Sequence, residues 1–434
     1  MRLPFSHRGY EAITDNTAEV DEKTLLLKTA QNARYYDALE QPCAFITPVE
    51  LYASWGLGGL KTVGITGTNG KTTTAALLYS FLTDLGEPCG LQGTRGFFAD
   101  DRQIEAKSMT TPSVLETMHN MHQALDLGCT HFVMEVSSHA IDQQRIEGIE
   151  FALKIHTNVT SDHLDYHGTV EEYRRVKSRF FADDAPKLLN KDDIKHIEYN
   201  PKNSYSYGVD APATFSVIAY TLKGGITAGI RYFNEEATFH SNLHGFFNLF
   251  NLTAAVSAAK ILTQKALEEV CSVVGNFAGV SGRMEVVSRE PLVIVDFAHT
   301  DDGIRNVLES LKDQEITVVF GAGGDRDRSK RPRMGAMVGR FANRIYVTSD
   351  NPRSEDPIRI IEEVLVGLRG KENVTAVPDR RQAITLALES LKPGEALVIL
   401  GKGDEEYQEI AGVKHPFDDR LVVRELLGLE GTER

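Results

Sequence analysis

The sequence predicts an α/β protein in three regions, and three observations carry that prediction. From Lys61 onward, short apolar runs alternate with amphipathic helical stretches, the pattern of a wound α/β domain. A glycine-rich phosphate loop stands between the first of those runs and the helix that follows it. From Arg283 onward, four apolar runs each end in a polar or glycine-rich loop. In open α/β sheets ligands bind beyond the carboxyl ends of the strands, so these loops are expected to line one face.

The 434 residues are 41% hydrophobic and 25% charged, which excludes a disordered or fibrous chain and supplies two or three cores. Lys plus Arg number 47 and Asp plus Glu 61, a formal net charge of −14. That sign argues against nucleic-acid and anionic-membrane partners, but a few cleft arginines suffice for an anionic small substrate. The amino-terminal MRLPFSHRGYEAITDN has no apolar secretory segment, and no apolar run reaches the ~20 residues of a membrane helix. Cys43, Cys89, Cys129 and Cys271 lie far apart and read as reduced thiols, so a cytoplasmic protein is expected.

In chain order, residues 1–60 show weak periodicity and one helical stretch, over residues 22–39. Residues 61–282 open with Val63 and Ile65 as a strand, followed by a helix with Leu78, Phe81, Leu82 and Leu85 on one face. Further strands are expected at residues 131–136 and 155–159, and residues 203–240 read as a small antiparallel excursion. In residues 283–434, strands at 292–295, 317–320, 345–347 and 396–400 alternate with helices such as 304–311 and 381–391.

The loop Gly67-Thr68-Asn69-Gly70-Lys71-Thr72-Thr73 has two residues between its glycines where the common nucleotide loop has four. Its backbone N–H groups would cradle phosphates, Lys71 would reach the β- and γ-phosphates, and Thr72 would ligate Mg²⁺. Glu135 ends an apolar run and supplies a carboxylate on the metal side. His163 and His167, at i and i+4 among Asp162 and Asp165, invite a zinc site that lacks further ligands at set positions, so His163 reads as a magnesium-side ligand. Lys177 projects from the apolar arc of Tyr173, Val176, Phe180 and Phe181; it must snorkel, pair or be chemically changed. The GAGGDRDR segment lacks the third glycine of a dinucleotide site. Its cations Arg326, Arg328, Lys330, Arg331 and Arg333 are read equally as a solvated loop or as anion contacts.

GTNGKTTT, MEVSSHAI, TNVTSDHLDYHG, Phe247-Asn248-Leu249-Phe250-Asn251, SGRME and DFAHT, in this serial order, resemble the Mur ligase family from about Lys61 to Leu427. The resemblance implies a shortened amino-terminal UDP-sugar-binding domain (1–60), a central P-loop ATPase domain with a mostly parallel sheet (61–282) and a Rossmann-like, amino-acid-binding domain (283–434). It implies that ATP phosphorylates the D-Glu γ-carboxylate of UDP-N-acetylmuramoyl-L-alanyl-D-glutamate and that an amine then displaces the phosphate. On matching positions, residues 67–73 with Asn251, Arg283 and Asp296 hold ATP. Thr72, Glu135 and His163 sit at Mg²⁺, and Lys177 carries a CO₂-derived carbamate. Thr110, Thr111, Ser137, Gln143 and Arg145 contact the UDP-sugar peptide. Arg331, Asp350, Asn351, Pro352, Arg353, Gly401 and Glu405 form the amino-acid pocket. Asp350-Asn351-Pro352-Arg353 implies meso-diaminopimelate, because a guanidinium grips its second carboxylate bidentately and repels the ammonium of lysine. The same segment and MEVSSHAIDQQR count against a folylpolyglutamate synthetase. A switch or motor ATPase would need an apolar run ending in paired acids, which is missing. Two departures stand out: Asp404 where the family commonly has His, and an amino-terminal region too short to match uridine contacts. A monomer is expected.

Overall fold

The computed structural model describes residues 1–39, 43–100, 102–106 and 109–429. An eleven-stranded sheet forms its centre. From one edge to the other the strands are Glu235–Ser241, Ile226–Tyr232, Phe215–Thr221, Ser204–Gly208, Lys187–Asn190, Leu153–His156, Lys61–Thr66, His131–Glu135, Cys89–Gly93, Gly96–Ala99 and Arg102–Glu105. The pairings between Ser204–Gly208 and Cys89–Gly93 are all parallel, while both edges are antiparallel. Residues 203–240 are therefore no separate excursion. Ser204–Gly208 pairs parallel to its neighbour, and the antiparallel strands after it extend the same sheet.

Helix Lys71–Asp84 packs against helix Phe246–Thr263, burying Leu77, Leu78, Phe81 and Leu82 against Leu249, Leu252, Ala255 and Val256. Phe246–Thr263 is long and apolar enough to cross a membrane, but most of it is buried in this core. The six-stranded carboxy-terminal sheet runs Glu285–Arg289, Leu292–Asp296, Ala396–Leu400, Ile316–Phe320, Arg344–Val347, Val374–Ala376, parallel throughout except at Glu285–Arg289. Its core strands are fully buried apolar runs, as expected of a sheet covered by helices on both faces.

The amino-terminal region differs from expectation. Residues 22–39 do not form one helix; they form strand Thr24–Leu27, a turn and the single helical turn Ala33–Tyr36. All four residues of Thr24–Leu27 are buried, and the strand lies parallel to both Tyr10–Thr14 and Phe45–Ile46. A continuous apolar run of this length fits a buried strand and a helix equally well by periodicity. Asn32 enforces the turn: its Oδ1 accepts from the Thr29 N–H at 2.8 Å, and its Nδ2 donates to the Leu27 and Asp15 carbonyls. The apolar residues of this four-stranded sheet, Leu3, Phe5, Ile13, Leu25 and Leu27, share one core with Phe97, Leu115, Met118 and Met134 of the central region.

Candidate active site

Strand Lys61–Thr66 delivers the phosphate loop, and helix Lys71–Asp84 leaves it. Both loop glycines are sterically required. A Cβ on Gly67 would lie 1.8 Å from Thr157 Oγ1, and one on Gly70, at φ +85°, 2.4 Å from Asn251 Oδ1. Asn158 secures the loop, its Oδ1 accepting from Asn69 N–H at 2.9 Å and its Nδ2 donating to the Asn69 carbonyl at 3.0 Å. Lys71 Nζ donates to the carbonyls of Gly67 (2.8 Å) and Thr68 (3.0 Å), and burial lowers its pKa. Thr68 shares a 3.1 Å hydroxyl contact with Tyr173. Thr73 is buried in the first turn.

Glu135, at the carboxyl end of the adjacent strand, accepts from Thr72 Oγ1 at 3.0 Å and from the N–H and hydroxyl of Thr94 at 2.8 and 3.2 Å. Thr94 also meets the Thr110 hydroxyl at 3.1 Å. Thr111 Oγ1 donates to the Glu135 carbonyl and accepts from Ser137 N–H, so Thr110, Thr111, Ser137 and Glu135 are one connected surface. Arg145 extends it, donating to the Thr111 carbonyl at 2.9 Å and to Gln143 Oε1. Lys177 is 1% exposed; its Nζ donates to the Gly67 carbonyl at 2.9 Å and approaches Thr66 Oγ1 at 3.3 Å. Burial, with Lys71 nearby, pushes its pKa well below the ordinary value.

His163 sits in a left-handed conformation, φ +51°. Burial lowers its pKa to about 3, so its imidazole is neutral and able to offer a lone pair. Its neighbour Asp162 accepts from His163 N–H at 2.8 Å and pairs with Lys330 of the carboxy-terminal region. Burial opposes ionisation of Asp162, but His163 and Lys330 hold its carboxyl well below the usual range. His167 turns elsewhere, to Ser138 Oγ at 2.9 Å, and among the described residues no three His, Cys, Asp or Glu side chains converge on a metal position. A hydroxyl, a carboxylate and a neutral imidazole around the phosphate loop instead suit a hard cation that keeps water and phosphate ligands.

The carboxy-terminal region faces this loop. Asn69 Nδ2 donates to Asp302 at 3.0 Å, and Arg95 approaches Asp404 at 3.8 Å. Asn251 bonds Thr74 and Asn248 beside Gly70. Arg283 lies over the Phe297 ring at 4.2 Å, and Asp296 accepts from the N–H groups of Met284 and Ala298, both at 2.7 Å. Burial raises the pKa of Asp296. Asp350, Asn351, Pro352 and Arg353 follow strand Arg344–Val347. Asn351 donates to Glu405 at 2.8 Å and accepts from Lys402, whose buried ammonium also binds Glu405 at 2.9 Å. Gly401, at φ +112°, lets Asp350 pack against its Cα. Arg353 Nη1 donates to the Gly324 carbonyl at 2.5 Å, and its Nε lies 3.6 Å from Glu409.

Arg331 is the deeply buried arginine of this set. It is 1% exposed, and its guanidinium donates to Glu355 and Glu363 at 2.7–2.9 Å and to the Gly323 carbonyl at 3.2 Å. Its Nε is buried without a hydrogen-bond partner, so the two carboxylates do not use all of its donors. The exposed Arg326 has its Cγ over Gly323, on the side where Arg353 Nη1 lies. Exposure distinguishes the two; the cation cluster in the sequence does not. A second region had no sequence signal. A cavity of about 500 Å³ is lined by Asp15, Asn16, Gln31, Asn32, Tyr35 and Ser113, between the amino-terminal and central regions.

Residues 65–259 match the Mur ligase middle domain and residues 282–403 the Mur ligase glutamate ligase domain: the chain belongs to the Mur ligase family. It is 52% identical, over 98% of both chains, to the UDP-N-acetylmuramoyl-L-alanyl-D-glutamate--2,6-diaminopimelate ligase of Wolinella succinogenes. A solved structure of a ligase of that same name is 30% identical, with a TM-score of 0.65 over 96% of this chain and 94% of its own. A Mycobacterium tuberculosis folylpolyglutamate synthase shares the fold at 17% identity, with a TM-score of 0.66 over 88% of this chain and 94% of its own.

Proposed function

We propose that this chain is an ATP-dependent ligase adding meso-diaminopimelate to the D-Glu of UDP-N-acetylmuramoyl-L-alanyl-D-glutamate, in cytoplasmic synthesis of peptidoglycan precursors. The near full-length identity to a ligase of that name carries the reading, and the site chemistry agrees with it.

The γ-phosphoryl group of ATP passes to the D-Glu γ-carboxylate, giving an acyl phosphate and ADP. The neutral amine attacks the acyl carbon, and the tetrahedral intermediate collapses with loss of phosphate and a proton. The loop N–H groups and Lys71 hold the phosphates, and Asn251, Arg283 and Asp296 hold the nucleotide between regions. Thr72, Glu135 and His163 would hold Mg²⁺, which neutralises charge on the transferring group. Lys177 is suited to carbamylation: burial keeps its amine uncharged and nucleophilic toward CO₂, and the resulting anion would lie against the loop. Thr110, Thr111, Ser137, Gln143 and Arg145 line the way to the peptide end of the UDP-sugar, and the cavity between Asp15 and Tyr35 accepts its uridine end. Arg331 and Arg353 meet the extra carboxylate of the amino acid, while Glu405 and Asn351 meet its ammonium. Asp350, Pro352 and Gly401 set the loop shape. The chain acts as a monomer.

The test is ADP release with the UDP-sugar dipeptide and diaminopimelate, lysine or glutamate as acceptor. Diaminopimelate alone is expected to support rapid turnover; equal turnover with lysine refutes the pocket assignment. Arg353→Leu is expected to raise the KM for diaminopimelate about ten- to a hundredfold, the loss of one charged hydrogen-bond pair.

A further inference from the structure

The Asp162–Lys330 contact joins two regions that otherwise meet mainly through their loops. Lys330 is the first residue of helix Lys330–Phe341, in the carboxy-terminal region, and its side chain is 11% exposed. Asp162, in the central region, is 7% exposed at its side chain. A buried ammonium and a buried carboxylate have no inexpensive alternative to each other, so this pair exists only while the two regions are apposed.

Each partner is wired to a different half of the reaction. Asp162 accepts from the His163 backbone N–H at 2.8 Å, and its other oxygen lies 3.4 Å from His163 Nε2. It thereby helps fix a non-glycine residue in a left-handed conformation, which persists only where the surroundings over-determine it. On the other side, Lys330 precedes Arg331, which grips Glu355 and Glu363. Glu355 accepts from the Asp325 N–H at 2.6 Å, and the Asp325 carboxylate accepts from the N–H and hydroxyl of Ser354. Ser354 directly follows Arg353. The loop that carries Asp350 to Arg353, the start of helix Lys330–Phe341, Asp162 and His163 thus form one contiguous chain of contacts about the domain interface.

We propose that Lys330 is a positioning residue: through Asp162 it holds His163 in place only while the carboxy-terminal region is apposed to the phosphate loop, and so couples phosphoryl transfer to the apposition that brings the amine pocket to the acyl phosphate. The proposal rests on the ligase reading above. Removing Lys330 leaves a buried carboxylate unpaired beside His163 and cuts the link to the Ser354 loop. The acyl phosphate is then formed without regard to the amine and is partly lost to water, its acyl–oxygen bond cleaved to return carboxylate and phosphate.

The experiment uses the full chain with ATP, Mg²⁺, the UDP-sugar dipeptide and diaminopimelate, and measures ADP and amide separately. The native chain is expected to give one ADP per amide. Lys330→Met is expected to lower the amide rate about tenfold or more and to raise the ADP-to-amide ratio above one. Lys330→Arg is expected to keep the ratio near one. Asp162→Asn/Lys330→Met is expected to recover part of the rate, since the unpaired charge is gone, but not the ratio. A purely structural role for Lys330 lowers both products in proportion; a ratio of one in Lys330→Met overturns the proposal. If Lys330→Met does not fold, the uncharged pair Asp162→Asn/Lys330→Gln carries the same ratio test. A native chain with no diaminopimelate-dependent ADP release would instead refute the ligase reading.

Discussion

Lys177 has no carboxylate partner among its hydrogen bonds; it reaches only the Gly67 carbonyl and the Thr66 hydroxyl. Burial of a cation with so little compensation favours its neutral form, the form that reacts with CO₂. Lys177→Ala is therefore expected to remove most ligase activity, with partial recovery on adding short carboxylates such as acetate, read as ADP release; full activity without additives would refute the carbamate. His156 is a second residue under strain of this kind. It is fully buried, neither ring nitrogen makes a hydrogen bond although Nε2 lies 3.6 Å from Asp193, and burial lowers its pKa to about 3. The folded chain thus binds fewer protons than the unfolded chain below pH 6.5, and stability from this residue is complete above that pH and lost as pH falls toward 3. His131, lowered to about 4 by burial, acts in the same direction. Asp193, raised to about 6 by burial, acts oppositely and offsets part of the loss. His156→Phe is expected to reduce the stability lost between pH 7 and 5 by about 1–2 kcal/mol, measured by denaturant melts at both pH values. An unchanged difference would show that His156 does not govern acid sensitivity. Lys177 was conspicuous from the spacing of its neighbours; His156 was not, because nothing in a strand-end histidine tells which way it points.

At the scale of elements, the phosphate loop was the most legible feature. Its two glycines follow a buried strand and precede a helix, and the structure shows why no larger residue fits either position. Gly70→Ala adds both a φ +85° penalty and a clash with Asn251. It is expected to cost about 1–3 kcal/mol of stability and to raise the KM for ATP, measured by thermal melts and initial rates. Retention of both native values would mean the loop relaxes freely. The amino-terminal strand Thr24–Leu27 was misread because a short apolar run carries no period, and only its parallel partners on both sides decide its form. The cation cluster 326–333 was ambiguous for a related reason. Arg331 and Arg326 are five residues apart in one loop and helix start, and packing between Glu355 and Glu363 buries the first while the second stays exposed.

For the whole molecule, the shared core decides how the first 60 residues behave. Leu3, Phe5, Ile13 and Leu25 pack in the same cluster as Phe97, Leu115 and Met118. Removing residues 1–60 is expected to yield an insoluble or dye-binding chain, scored by solubility and by binding of a hydrophobic fluorophore. A soluble, cooperatively melting remainder would show that the central sheet is self-sufficient. The net charge of −14 and the proposed anionic substrate are reconciled at this scale too, because the cations that would meet it, Lys71, Arg145, Arg331 and Arg353, are few and local. The α/β class, the phosphate loop and the family are legible along the chain alone. Each of these is written in residues close together along the chain, where steric and periodic rules act directly. Burial and packing show which arginine is exposed, where a cavity opens beside Asn16 and Gln31, and that Lys330 reaches Asp162. Those outcomes depend on burial and on contacts between residues distant in the chain, 168 positions apart for Lys330 and Asp162, which no local pattern encodes.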